Sequence, residues 1–218
     1  NFLKKTSLSA AAFAASGLIP ACEDSQTEVP SSGGNYMGDF IAPKLDKVRI
    51  AFIGVGKRGG GHLKYLSGLE GTEVVAISDL YEDNVNDKIK IIKHSTNFNQ
   101  HPKIQTYWGS DIKWKAMLNE VKPDAVFIST NWKNHAPMAI ESMKNGTHAF
   151  VEVPLATSIK DLWSIIDTSE RTQRHCMMME NVNYGRTELM YLNMCRNGLI
   201  GDFLHAEAAY IHELRWQM

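Results

Sequence analysis

The sequence predicts an α/β fold, a doubly wound parallel sheet with helices on both faces. Three observations carry that expectation: six alternations of an apolar run with a helix-period run, a glycine-rich turn directly after the first apolar run, and polar residues gathered where the apolar runs end. Strands buried on both faces read as near-continuous apolar runs, which is what these are. With 218 residues, the chain has room for one good domain and part of a second.

Ahead of the first strand the chain reads as a leader. Asn1-Phe-Leu-Lys-Lys5 is basic, and Leu8 to Ile19 is an apolar, Ala-rich run too short to span a bilayer as a helix. This is the pattern of a signal peptide, similar to the tail of a twin-arginine signal whose arginines would precede Asn1. Ile19-Pro-Ala-Cys22 resembles a bacterial lipobox with Cys22 as the lipidated residue; a tail with an incidental cysteine is the alternative. The expectation is an exported protein, periplasmic or lipid-anchored at the cell envelope. Residues 23–46, rich in Ser, Gly, Glu and Asp, read as a linker.

The first strand is expected over Val48 to Val55, followed by a helix over Gly60 to Leu69. Gly54, Gly56 and Gly59 between them have the spacing G-x-G-x-x-G. The first glycine permits a tight turn, the second lets a pyrophosphate approach the backbone, and the third lets helix and strand pack closely. The helix start then offers free N–H groups and its positive dipole end to phosphate. Glu73 to Asp79 is the second strand, and Asp79 lies 20 residues after Gly59, where a ribose-binding carboxylate is expected. A carboxylate there repels a 2′-phosphate, so the spacing points to NAD rather than NADP. Together these features specify a Rossmann-type domain, expected over 47–182.

The later elements follow in order. Tyr81 to His94 is a helix, Asn97 to Lys103 a polar loop, Ile104 to Trp108 a short strand, and Asp111 to Glu120 a helix broken by Lys122-Pro-Asp124. Asp124 to Thr130 is a strand and Asn134 to Lys144 a helix stopped by Asn145-Gly146. His148 to Pro154 is a strand ended by its proline, and Ser158 to Arg171 a helix with Ser158 as cap. His175 to Asn181 is the sixth strand, its three methionines read as core filler. The expected site lies at the carboxyl ends of the strands: Gly54 to Gly59, Asp79, Ser129 to Trp132, Glu152 and Asn181. Arg186 to Asn197 is an amphipathic helix, and Phe203 to His212 a strand opening a second domain over 183–218. One strand cannot bury its own apolar face, so the chain is expected to be a fragment, with an incomplete α+β substrate domain.

Composition removes several classes. Hydrophobic content of 44% and charged content of 22% are ordinary for a globular protein, and a net charge of −1 gives no basic footprint for nucleic acid. Cys22, Cys176 and Cys195 make neither a disulfide framework nor a metal cluster, so no metal is expected.

The glycine motif, Asp79, Asn131-Trp-Lys-Asn-His135 and Glu152-Val-Pro154 resemble the Gfo/Idh/MocA oxidoreductase superfamily. Within it the sequence is similar to glycoside hydrolase family 109, the NAD-dependent α-N-acetylgalactosaminidases, most closely at Val151 to Pro154, Asp161 to Glu170, Met178 to Asn181, Leu192 to Met194 and Tyr210 to Arg215. Most dehydrogenases of the superfamily carry Glu-Lys-Pro at the fifth strand's end. Here Val153 stands in the lysine's place, as in the glycosidase group.

The resemblance implies a glycosidase that cleaves α-N-acetylgalactosaminides or related glycans. NAD⁺ stays bound and oxidises the sugar at C3, a base removes the C2 proton, the aglycone leaves by elimination, water adds, and the ketone is reduced back. Redox-assisted enzymes of this kind do not need the usual carboxylate pair. The resemblance further implies that Lys57, Arg58 and Gly59 lie in the phosphate turn, and that Asp79 holds the adenosine ribose. Asn131, Trp132 and His135 would flank the nicotinamide side, Glu152 and Val153 its ribose, and Asn181 another cofactor contact. Tyr210 matches a position that touches sugar. Glu152 and Tyr184 are the catalytic candidates in this chain, Tyr184 as acid/base, and a family histidine would lie past Met218. The expected partner is a small-molecule or glycan substrate, with no nucleic acid and no transmembrane span; a homo-oligomer is compatible with the resemblance. An NAD-dependent sugar or polyol oxidoreductase of the same fold is the competing reading, as is a non-catalytic sugar-binding protein.

Overall fold

The structure, a computed structural model, describes residues 35–95, 98–101, 103–207, 209, 211, 213 and 215. The leader, the lipobox Cys22, Tyr210 and His212 lie outside the described residues.

Six strands, β1 (Val48–Ile53), β2 (Thr72–Ser78), β3 (Gln105–Tyr107), β4 (Ala125–Ile128), β5 (His148–Val151) and β6 (Cys176–Met178), form one parallel sheet in the order β3-β2-β1-β4-β5-β6. Six helices alternate with them: α1 (Lys57–Leu66), α2 (Glu82–Lys93), α3 (Lys113–Val121), α4 (Trp132–Lys144), α5 (Ile159–Thr172) and α6 (Arg186–Arg196). The order reverses beside β1, where the chain leaves β3 and returns at β4, so the crevice between β1 and β4 is the ligand-binding switch point of such a sheet.

The core has two parts. Ile50, Phe52, Val74 and Ile77 meet Leu63 of α1 and Val85 and Ile92 of α2. Ala51, Ile53, Val126, Ile128 and Val151 belong to the second cluster, with Trp114, Met117 and Leu118 of α3, Ala139 and Met143 of α4, and Ile165 of α5. Phe52, Phe127 and Phe150 stack at 5.4 and 4.8 Å across β1, β4 and β5, which lie side by side. Ser158 caps α5 as expected: its Oγ accepts the Asp161 N–H at 3.1 Å and donates to the Asp161 carboxylate at 2.7 Å.

Several expectations need correction. Helix α1 starts at Lys57, not Gly60, because Gly56 is the N-cap, so the third motif glycine sits inside the first turn. Met177 and Met178 are not core filler: β6 is the sheet edge and both are more than a third exposed. In the expected loop 97–103 a short 3-10 helix (Phe98–Gln100) precedes a buried His101. The ring of His101 accepts the Val74 N–H at Nδ1 and donates to the Ser67 carbonyl from Nε2, pinning β2 to the end of α1. None of the described residues of 203–212 lies in a strand, and Ala208, Tyr210 and His212 of that expected strand lie outside the described residues. Helix α6 buries none of its residues. Residues 35–46, read as linker, lack helix and strand but are not loose: the Gln173 amide donates to the Asn35 carbonyl, and the Phe40 ring lies 5.1 Å from His175.

Candidate functional site

At the carboxyl end of the sheet β1, β2, β3 and β4 each hand their last carbonyl to the residue that follows a neighbouring strand. The N–H groups of Gly54, Asp79, Ser129 and Glu152 bond to the carbonyls of Ser78, Tyr107, Ile53 and Ile128. These bonds place the residues after β1, β2, β4 and β5 on one rim, as their sequence positions require.

The glycine turn is built to exclude side chains in two places and to leave room in a third. Gly54 has φ +81°, and a Cβ there would lie 2.6 Å from the Ser129 carbonyl oxygen. A Cβ on Gly59 would overlap the Gly54 carbonyl oxygen, so α1 can approach the turn only with glycine there. At Gly56 a Cβ would meet nothing within 4 Å, because the space in front of that backbone is open. No side chain caps α1 and no acid occupies its first turn. Its orphan N–H groups and positive dipole end therefore face an anion unopposed, with Lys57 and Arg58 exposed beside them.

A cleft of about 480 Å³ opens here, lined by Gly54, Gly56, Asp79, Asn84, Ser129, Asn131 and Asn134 among others. Asp79 holds the cleft's shape as well as facing it. One carboxylate oxygen accepts the Val55 N–H at 2.7 Å; the other accepts the Tyr81 N–H and the Asn84 amide, each at 3.0 Å. The first oxygen keeps a lone pair for a ribose hydroxyl. The buried Ser129 hydroxyl on the cleft wall has no hydrogen-bond partner. An open glycine cradle, an uncapped helix start, an acidic ribose position and an orphan hydroxyl all fit a dinucleotide.

On the side of β5, Glu152 is 8% exposed and its carboxylate is held from α1. His62 Nε2 lies 2.6 Å from Oε1, Arg58 Nε lies 3.5 Å from the same oxygen, and the Val153 N–H reaches Oε2 at 3.3 Å. Trp132, the first residue of α4, and Val153 stand on this rim with 64% and 38% of their surface exposed. His135 is buried, with Nδ1 2.7 Å from the Pro154 carbonyl and Nε2 3.1 Å from the Thr130 carbonyl. It ties the loops after β4 and β5 together and presents no free edge to a ligand.

After β6, Glu180 shapes a turn that carries Asn181 and Tyr184. Its carboxylate accepts the N–H groups of Val182 and Asn183 at 2.7 Å each. Those of Asn183, Val182 and Asn181 hold its carboxyl below the usual range. Tyr184 is 71% exposed. Burial pushes the Cys176 thiol up to about 12, which disfavours its thiolate. Sequence reasoning missed His62 and Glu180. The signal for His62 was its i, i+4 spacing from Arg58 on the helix that leaves the phosphate turn. Among the described residues no cluster of three or more His, Cys, Asp or Glu could hold a metal, and no helix is long and apolar enough to cross a membrane.

Comparison with known proteins agrees with this geometry. Residues 48–180 match the oxidoreductase family model Gfo/Idh/MocA, described as an NAD-binding Rossmann fold, and residues 184–218 match the C-terminal domain of glycosyl hydrolase 109. The chain is 56% identical over 186 residues to glycosyl hydrolase family 109 protein 1 of Akkermansia muciniphila, covering 85% of this chain and 38% of that protein. It is 49% identical over 225 residues to an alpha-N-acetylgalactosaminidase of Shewanella oneidensis, covering 100% of this chain and 48% of that one. The chain thus spans about half the length, or less, of these relatives. Among solved structures it superposes on scyllo-inositol dehydrogenase from Lactobacillus casei with bound NAD(H) and scyllo-inositol (TM-score 0.60, 16% identity, 72% of this chain and 43% of that one). It also superposes on the WlbA dehydrogenase from Bordetella pertussis with NADH and UDP-GlcNAcA (TM-score 0.58, 18% identity, 71% and 43%). These two likenesses concern the fold.

Proposed function

Because the chain belongs to the Gfo/Idh/MocA oxidoreductase family, with its NAD-binding Rossmann fold, we propose that the protein it represents is an NAD-dependent glycosidase cleaving α-N-acetylgalactosaminides or related glycans. The observation that carries this reading is the end of β5. There a nearly buried carboxylate, Glu152, is followed by Val153 and Pro154, with no lysine to serve a dehydrogenase. The matches to glycosyl hydrolase 109 over residues 184–218 and to a named alpha-N-acetylgalactosaminidase support the same reading, and the first supports a domain division near residue 183.

When bound, NAD supplies a reversible oxidation of the sugar, with no net redox change over a turnover. The chain's residues do the rest. The glycine turn with Lys57 and Arg58 seats the pyrophosphate, and Asp79 accepts from the adenosine ribose. Asn131 and Trp132 flank the nicotinamide end, with His135 fixing the loop beneath them. Glu152 and Val153 orient the nicotinamide ribose, and Asn181 makes a further cofactor contact. Tyr184, whose side chain is exposed, moves the proton as acid/base, and Tyr210 contacts the sugar. Export through the leader, with lipidation at Cys22, belongs to the same proposal; intact mass of the mature protein tests it.

The functional test is full-length protein with p-nitrophenyl α-N-acetylgalactosaminide. Release of p-nitrophenol with flat absorbance at the NADH wavelength is the expected result. Steady NADH formation from a free sugar without glycoside cleavage would replace the glycosidase reading with the oxidoreductase one.

A further inference from the structure

We propose that His62 is the positioning residue of Glu152. It fixes the carboxylate that the reading above places at the nicotinamide ribose, and it ties that carboxylate to the helix carrying the phosphate turn; the inference rests on that reading for what Glu152 does. His62 lies one turn beyond Arg58 on α1, so both side chains leave the same helix face. They reach a residue far along the chain, 90 positions after His62, and both meet the same oxygen, Oε1. The two contacts differ in kind. His62 Nε2 stands 2.6 Å away, from a side chain 28% exposed, whereas Arg58 Nε stands 3.5 Å away, from a side chain 66% exposed. The Arg58 contact is weak and exchangeable, free to turn to a phosphate seated at the helix start. The His62 contact is the short, shielded one. Glu152 has only 10% of its side chain exposed, so without His62 one oxygen would be desolvated without a close donor, and the carboxylate would rotate out of place. Seating the phosphates and aiming Glu152 are thus functions of one helix turn.

The test uses full-length protein and five variants: His62→Ala, His62→Gln, Glu152→Ala, Glu152→Gln and the His62→Ala/Glu152→Ala double. His62→Ala should lower kcat for p-nitrophenyl α-N-acetylgalactosaminide about 10–100-fold, the scale of a misplaced site group, with KM little changed and NAD still retained. His62→Gln, whose amide N–H can reach the same oxygen, should recover most of the loss. The double variant should be no slower than Glu152→Ala alone, since the two act as a unit. Independently of activity, the His62 ring resonance in ¹⁵N-histidine NMR should move in Glu152→Gln. Unchanged kcat in His62→Ala, no recovery in His62→Gln, additive losses in the double variant, or an unmoved resonance would each overturn the assignment. If the wild-type protein cleaves no such glycoside, the functional reading fails by itself. The NMR shift then decides the His62 assignment: a shift upholds it, and its absence overturns it.

Discussion

Two glycines of one motif should fail in opposite ways when each becomes alanine. At Gly54 the backbone has φ +81° and a Cβ would lie 2.6 Å from the carbonyl oxygen of Ser129, a residue whose own N–H is held on the Ile53 carbonyl at 2.9 Å. Gly54→Ala therefore carries about 1–2 kcal/mol for the left-handed conformation. It carries a further ~1–3 kcal/mol for overpacking against atoms that cannot move aside. At Gly56 φ is −62°, and a Cβ would meet nothing within 4 Å. Gly56→Ala should leave the protein folded, since a Cβ there meets no neighbouring atom. Its methyl would fill the space a pyrophosphate needs. The assay is denaturant unfolding without NAD, paired with NADH binding by fluorescence. Gly54→Ala should lose stability first; Gly56→Ala should fold and bind at least tenfold more weakly. A Gly56→Ala protein that binds NADH as the wild type does would refute the reasoning about the turn.

Other perturbations follow from the same geometry. Asp79→Ala should weaken NAD retention and also cost about 1–3 kcal/mol, because the Val55 N–H loses its acceptor; an unchanged unfolding midpoint would contradict this. Ser158→Ala should remove the cap of α5 at about 1 kcal/mol and leave NADH binding alone, as unfolding and titration would show. His148, whose ring accepts the His175 N–H, is held below the usual histidine range by burial first and then by Arg174 and His175. The folded state thus favours the neutral ring. Its contribution is present above the unfolded value of about 6.5 and is lost as pH falls from there through the lowered folded value. Melting curves against pH should flatten over that window in His148→Gln. Tyr184→Phe should lower turnover with NAD still bound, and unchanged turnover would remove Tyr184 from the mechanism.

The features legible in the sequence were those with local causes. The glycine spacing, the acid after β2 and the Ser158 cap each depend on residues within a turn or a strand of one another. The apolar runs at Val48, Val74, Ala125 and Ala149 announced strands because a parallel sheet covered on both faces tolerates little else. What stayed hidden depends on strand order. Met177 and Met178 read as core by composition, yet β6 proves to be an edge. His101 looked like part of a polar loop, and only the return of that loop over β2 makes it a buried bridge between Ser67 and Val74. The i, i+4 spacing puts His62 on the face of Arg58, but that this face meets Glu152 follows from β1, β4 and β5 lying side by side. Asn181 was placed by its position at the end of the sixth strand and by resemblance, and Tyr184 by lying three residues beyond it; that the turn carrying both depends on the Glu180 carboxylate was not legible.

The most direct test of transient oxidation at a retained cofactor is the isotope content of the released sugar. Full-length protein should be run on p-nitrophenyl α-N-acetylgalactosaminide in D₂O and the product read by NMR. A proton removed from C2 and replaced from solvent leaves one deuteron at C2 in every product molecule, with NAD unconsumed, and this is the expected result. Released N-acetylgalactosamine that keeps its original C2 proton would mean a direct displacement, and would contradict the proposed role of the NAD site in bond cleavage.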